Sequence, residues 1–326
     1  MQTPPLWRTW LEGALINIVR LLLWPIPPTL GRLPGALLGT LLFDVLRLAR
    51  RQTLKNLELA FGDAYTPAQR VALGRACYRH FGTVITEFFM LNRLSRERVA
   101  RHITLENPEV LEAELAKGKG VLLAIGHFGH WEMLGAGIAS HGLTVTAYVG
   151  AQHNPIADNF INRTRRHYGM GTLGKNDPMR GMLRELKQNH ILALLTDQHY
   201  SRNRHFVTFF GHPVSTPPGV GTLMRHAGVA VVFADIHRTG KAFHYTARFE
   251  RLPDPPAEVD KETALLHVAQ NFSDALEAAV RKHPAQYFWM HRRWRGAPPP
   301  DKLTPCNRAF LEARGVKLAP PPEGPA

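Results

Sequence analysis

The 326-residue sequence predicts an α/β fold: a central mixed, mostly parallel sheet flanked by helices, preceded by a helical membrane-associating segment. Three observations carry this. Short continuous apolar runs of strand length recur from residue 121 onward, helical segments alternate with them, and the first fifty residues are at once apolar and basic.

In residues 1–52, WRTWLEGALINIVRLLLW (7–24) is followed by a Pro-rich break and LPGALLGTLLFDVLRLARR (33–51). Neither run reaches the roughly 18 uninterrupted apolar residues of a spanning helix, because Glu12, Arg20 and Asp44 interrupt them. Terminal tryptophans and interspersed arginines instead suit helices lying in the headgroup region. A cleaved signal peptide fits poorly, since Arg20 lies inside the apolar stretch. Residues 53–116 read as helices, with Thr66-Pro67 as a cap and first-turn proline.

From residue 118 the texture changes. Strands are expected at 121–125, 144–149, 190–196, 229–236 and 243–250, the last an antiparallel edge partner. Helices fall around 132–140, 155–168, 177–189, 217–227 and 260–283. The expected division is membrane-associating helices over 1–52, one enzymatic domain over 53–295, and an extended Pro-rich tail over 296–326.

Composition narrows the function. The net charge of +14 implies an anionic partner: nucleic acid, a membrane surface or a phosphorylated substrate. The excess is concentrated in residues 1–52 (+4), 151–210 (+5) and 281–302 (+5). Two cysteines, Cys77 and Cys306, exclude a disulfide scaffold and point to a reducing compartment. The aromatic-basic segment QYFWMHRRWR (286–295) could in principle stack bases, but no recognised nucleic-acid motif accompanies it.

The sharpest local feature is GHFGHWE (126–132), directly after the apolar run VLLAI. It belongs at the carboxyl end of a strand, where open α/β sheets gather their ligand sites. His127 and Glu132 have four residues between them, and a turn at Gly129 would bring the carboxylate onto the imidazole. That would fix the ring tautomer and leave the other nitrogen to take a proton from a substrate hydroxyl. His127, His130 and Glu132 lack the i, i+4 histidine pair of a helical metal site, so no metal is expected.

GHFGHWE resembles the His-x4-acid motif of the lysophospholipid acyltransferase superfamily, and the surrounding pattern is similar to the bacterial lipid A biosynthesis (lauroyl/myristoyl) acyltransferase family. NLELAFGD (56–63), NPIADNFINRTRRHYG (154–169), LLTDQ (194–198), FFGHPVSTPPG (209–219) and QYFWMHRRWR follow in the family's order and spacing. The resemblance implies direct acyl transfer from an acyl carrier protein thioester, or a coenzyme A thioester, to a hydroxyl of an anionic glycolipid. The acceptor it favours is a lipid A precursor. A phosphatidylinositol mannoside or a lysophospholipid is the alternative, and nucleic-acid binding the remote one.

It implies no cofactor, and a place on the cytoplasmic face of the bacterial inner membrane, peripheral or single-pass. His127 is then the base, Glu132 its orienting partner and Arg163 the anion stabiliser. Arg165, Arg166, Asp197, Gln198, Thr216, His291 and Arg292 are the expected substrate-binding residues. His130 stands where the commonest family form has Asn, and is expected to hydrogen-bond locally. The acyl groove is expected to draw on distant residues such as Leu134, Phe209 and Met224.

Overall fold

A computed structural model describes residues 5–150, 154–174, 176–200, 205–240, 243–295, 298 and 303–318. The chain begins with helices α1 (Leu6–Leu23), α2 (Arg32–Thr40), α3 (Arg50–Phe61) and α4 (Pro67–Leu91). Thr66 closes a capping box with Gln69 at the start of α4, as its sequence signature requires. The short helix α5 (Arg96–His102) leads into strand β1 (Ile103–Glu106), which interrupts the stretch expected to be wholly helical. A four-residue edge strand in parallel pairing leaves little signal in a sequence read without its neighbours.

The chain continues through α6 (Glu109–Leu115), β2 (Val121–Ile125), α7 (Trp131–Ser140), β3 (Val145–Val149), α8 (Pro155–His167), β4 (Gly171–Gly174), α9 (Met179–Lys187) and β5 (Ile191–Leu195). A separate antiparallel hairpin, β6 (Phe206–Phe209) and β7 (His212–Ser215), follows. Then come α10 (Gly219–Ala227), β8 (Val231–Arg238), β9 (Tyr245–Arg251) and α11 (Lys261–Lys282).

Seven strands form one sheet in the order β1-β9-β8-β2-β5-β3-β4. Every neighbouring pair is parallel except β8 with β9, the antiparallel pair anticipated from the alternation in 243–250; β9 is not the edge expected of it, because β1 pairs with its other side. The sheet buries both faces. Along β2, Leu122 and Ala124 enter one core, with Leu266, Phe272 and Leu276 of α11. Val121, Leu123 and Ile125 enter the other, with Met133, Leu134 and Ile138 of α7. Continuous burial on both faces is why β2 reads as an unbroken apolar run.

The two ends of the chain depart from expectation. Of the tail expected to be extended, Pro305–Ala313 is a helix, α12, capped by Thr304. Asn307 of α12 makes paired bonds to the Phe206 backbone, so this segment packs on the hairpin. At the other end, a Cβ on Gly39 of α2 would lie 2.1 Å from the Tyr78 carbonyl of α4. Only glycine allows two helices so close, and the expected boundary near residue 52 therefore crosses a tight interface. Among the described residues no single helix is long and apolar enough to cross a membrane. The stretches 7–23 and 28–45 together have the length and hydropathy, but they bend by 106°.

A buried ion pair ties α4 to the sheet. Glu87, wholly inaccessible, accepts two 2.7 Å bonds from Arg238 of β8, one from the Phe243 backbone and one from the Tyr245 hydroxyl. Burial alone would raise the Glu87 carboxyl, but the bonds and charge of Arg238 outweigh it and hold the group ionised. Glu87→Gln strands the Arg238 charge in the interior and is expected to cost about 3–5 kcal/mol, read from urea unfolding midpoints.

Candidate active site

The site forms where β2 and β5 end. Their parallel register pairs Val121 with Ile191 and Ile125 with Leu195. Two residues beyond both ends, the same offset sets His127 opposite Asp197. The Asp197 carboxylate accepts a 2.6 Å bond from His127 Nδ1 and a 2.9 Å bond from the His127 backbone N–H. Asp197 is only 2 % exposed. Burial by itself would raise its carboxyl, but the charge and the two bonds of His127 outweigh that and hold it below the usual carboxylate value. An ionised Asp197 fixes the Nδ1–H tautomer, so Nε2 is the acceptor. That nitrogen lies 3.1 Å from the Gln198 amide Nε2.

Glu132 is placed elsewhere. It sits in the first turn of α7, and its two oxygens accept 2.6 and 3.0 Å bonds from Arg165 of α8. The expected His127–Glu132 contact is therefore replaced by two separate pairs, His127–Asp197 and Glu132–Arg165. The cause is the backbone at Gly129, which has φ +59° and packs so close that a Cβ would lie 1.5 Å from the Ile236 carbonyl. The loop turns sharply there, and Glu132 follows it onto the helix facing α8.

His130 is the N-cap of α7, accepting 3.2 Å from the Met133 N–H through Nδ1. Burial depresses its pKa to about 4, leaving it neutral, and this is the local hydrogen-bonding role expected for it.

A narrow apolar slot lies beneath α7, between that helix and the sheet. Trp131, whose ring centre is 5.0 Å from that of His127, lines it together with Glu132, Leu134, Gly135, Arg165 and Met170. Its free volume is about 30 Å³, room for a water or two. Leu134, one of the residues expected in an acyl groove, lines this slot. Phe209 and Met224 are not part of it, for they pack in the core on the opposite face of the sheet.

The remaining expected residues separate in the same way. Thr216 is buried and accepts a 3.2 Å bond from Arg293. His291 lies within the fields of Asp197, His127 and Arg293, and burial brings its pKa down to about 4. Arg166 and Arg292 are exposed. Arg163, two residues from Arg165 on α8, points to the other side of that helix and lines a different cavity with Arg20 and Arg93.

Sequence reasoning missed several residues that shape the site. Arg293, not Arg292, is the buried arginine, donating also to the Ser215 carbonyl at 2.7 Å. Asn56 donates to the carbonyls of Trp289 and His291, which joins NLELAFGD to the C-terminal signature. Phe288 N–H donates to the His127 carbonyl, and Gly129 N–H to that of Gln286. QYFWMHRRWR is thus a buried clamp on the GHFGHWE loop, with Tyr287, Trp289 and Arg293 in the interior. Tyr287 and Trp289 are therefore not available to stack on bases.

A histidine oriented by a buried carboxylate at the carboxyl ends of parallel strands, beside an apolar slot and a paired arginine, is an arrangement suited to taking a proton from a hydroxyl. Residues 1–296 match the family model for bacterial lipid A biosynthesis acyltransferases. The chain belongs to that family and is an O-acyltransferase of the lipid A biosynthesis type.

It is 26% identical over 316 residues to the lipid A biosynthesis myristoyltransferase of Escherichia coli (strain K12), covering 94% of this chain and 93% of the relative. To the lipid A biosynthesis lauroyltransferase of the same organism it is 26% identical, covering 90% and 94%. To the phosphatidylinositol mannoside acyltransferase of Mycobacterium tuberculosis (strain CDC 1551 / Oshkosh) it is 24% identical, covering 73% and 74%.

Proposed function

We propose that this enzyme transfers a fatty acyl chain from an acyl carrier protein thioester to a hydroxyl of an anionic glycolipid, a lipid A precursor, at the cytoplasmic membrane surface. The observation that carries the chemistry is the His127–Asp197 pair with Nε2 turned toward the Gln198 amide. The relatives support this acceptor. Those named for lipid A align over nearly their whole length, whereas those named for phosphatidylinositol mannoside align over 74% of theirs.

The acceptor hydroxyl displaces the Gln198 amide and gives its proton to His127 Nε2 as the oxygen attacks the thioester carbonyl carbon. Asp197 holds the imidazolium that results. The oxyanion is stabilised by the guanidinium of Arg165, which Glu132 positions through its two bonds. The carbon–sulfur bond then breaks, and the imidazolium returns the proton to the thiolate, leaving an ester and a free thiol. Transfer is direct, so no acyl group resides on the protein. The roles first given to Glu132 and Arg163 thus pass to Asp197 and Arg165, on the strength of the contacts each makes.

The slot beneath α7 takes the acyl chain. It is nearly closed, and a Cβ on Gly135 would come within 2.3 Å of the Met170 terminal methyl. Met170, unbranched and adaptable, moves aside as the chain enters, and its position limits chain length. Met170→Ala is expected to raise kcat/KM for a donor two carbons longer at least about tenfold relative to the wild-type preference, and Gly135→Val to shift preference to shorter chains. Mass spectrometry of products from mixed-length donors reads both.

Membrane contact rests on α1 and α2. Trp7, Trp10, Leu15, Leu21 and Leu37 are each at least 60% exposed, an apolar surface that water would leave uncovered and a headgroup boundary would cover. The reading as a whole is tested by supplying acyl carrier protein thioester and glycolipid acceptor to the purified enzyme. An ester-linked acyl chain on the acceptor is expected, equal in amount to the thioester consumed. Thioester loss with no acylated acceptor contradicts it.

A further inference from the structure

The crevice to which Arg163 turns is a second site. It has a volume of about 550 Å³, lies between α1, α4 and α8, and is lined by Arg20, Arg93, Arg163 and His167 among aromatic and apolar walls. Arg93 is held in place by donating to the Leu23 and Ile26 carbonyls, with its guanidinium 5.4 Å from the Trp24 ring centre. Arg20 lies 5.4 Å from that of Phe160. No carboxylate lines the crevice among the described residues, so three guanidinium groups share one cavity without a counter-charge in its wall.

Guanidinium groups gathered in this way suit a phosphate, which they bind through paired, charge-assisted bonds. The rim adjoins the exposed apolar side chains Leu21 and Leu22 of α1 and Trp24 just after it, which would meet the acyl chains of a lipid carrying that phosphate.

We infer that this crevice binds the phosphate-ester headgroup of an anionic membrane lipid, and so fixes how the enzyme sits on the bilayer. The inference rests on the membrane-facing reading of α1 and is independent of the acyl-transfer chemistry. Lying on the opposite side of α8 from the Glu132–Arg165 pair, the crevice can be filled while the active site turns over.

The test is calorimetric titration of the full chain with water-soluble dihexanoyl phosphatidylglycerol, dihexanoyl phosphatidylcholine and inorganic phosphate, with no acyl donor present. Phosphatidylglycerol should bind, and each of the other two should bind at least about tenfold more weakly. Arg163→Gln, a change at an exposed position, should weaken phosphatidylglycerol binding about tenfold. Arg51→Gln, the same charge loss on α3, should change it by less than about twofold. Equal losses in the two variants would mean a diffuse field and overturn the site. Phosphate binding as tightly as phosphatidylglycerol would overturn the lipid, and phosphatidylcholine doing so would overturn the charge recognition. Because no acyl group moves, failure here leaves the transfer reaction standing, and failure of transfer leaves this result standing.

Discussion

His127→Ala should lower the single-turnover rate of acyl transfer by about 10³- to 10⁴-fold, while circular dichroism and the unfolding midpoint stay near wild type. Asp197→Asn should fall nearly as far. An asparagine can present its amide N–H to Nδ1, which turns the imidazole to the wrong tautomer and removes the charge that holds the imidazolium. The Asn variant keeps the shape of the side chain, so its loss reports on charge and tautomer more than on packing. Glu132→Gln should lose activity by a different route. It weakens the grip on Arg165 and so the stabilisation of the oxyanion, with His127 still held by Asp197.

The second large effect is structural. Gly129→Ala adds a Cβ that would lie 1.5 Å from the Ile236 carbonyl, at a φ of +59° that side chains other than glycine adopt at a cost. The obstacle is backbone in a central strand and cannot swing away. The loop must therefore move, and with it the His127 carbonyl and Gly129 N–H that the C-terminal clamp engages. Loss of more than about 3 kcal/mol of stability is expected, together with transfer below about 1% of wild type. Urea unfolding and single-turnover kinetics check the two parts.

The strands that were legible were those buried on both faces. VLLAI and HILALLT carry their signal in continuous apolar runs, and the structure places them within a residue of the expected bounds. β1 and β4 were not legible because edge strands of four residues, completed by partners far along the chain, have no such run. His127 was legible because its loop follows a strand and opens a helix. Its partner was not, because Asp197 lies 70 residues away and reaches the imidazole only through the β2–β5 register.

Local spacing favoured Glu132, and no sequence periodicity reveals that Arg165 has claimed it. The same limit explains the arginines. Arg163 and Arg165 differ by two positions, which on a helix means opposite sides, yet which side faces the site depends on how α8 docks. The basic segment 286–295 looked like a surface because aromatic and cationic residues alternate there. Its Tyr287, Trp289 and Arg293 are interior, and there Arg293 donates to Ser215 and Thr216.

The most direct test of the central claim is a double-mutant cycle on the single-turnover rate with His127→Ala, Asp197→Asn and Glu132→Gln. If His127 and Asp197 act as one base, the His127→Ala/Asp197→Asn double variant is no slower than His127→Ala alone, because the second loss has nothing left to remove. The His127→Ala/Glu132→Gln double variant, by contrast, should show the product of its two separate losses. The reverse pattern, multiplicative losses for His127 with Asp197 and none beyond His127→Ala when Glu132→Gln is added, would contradict the account and return Glu132 to the base.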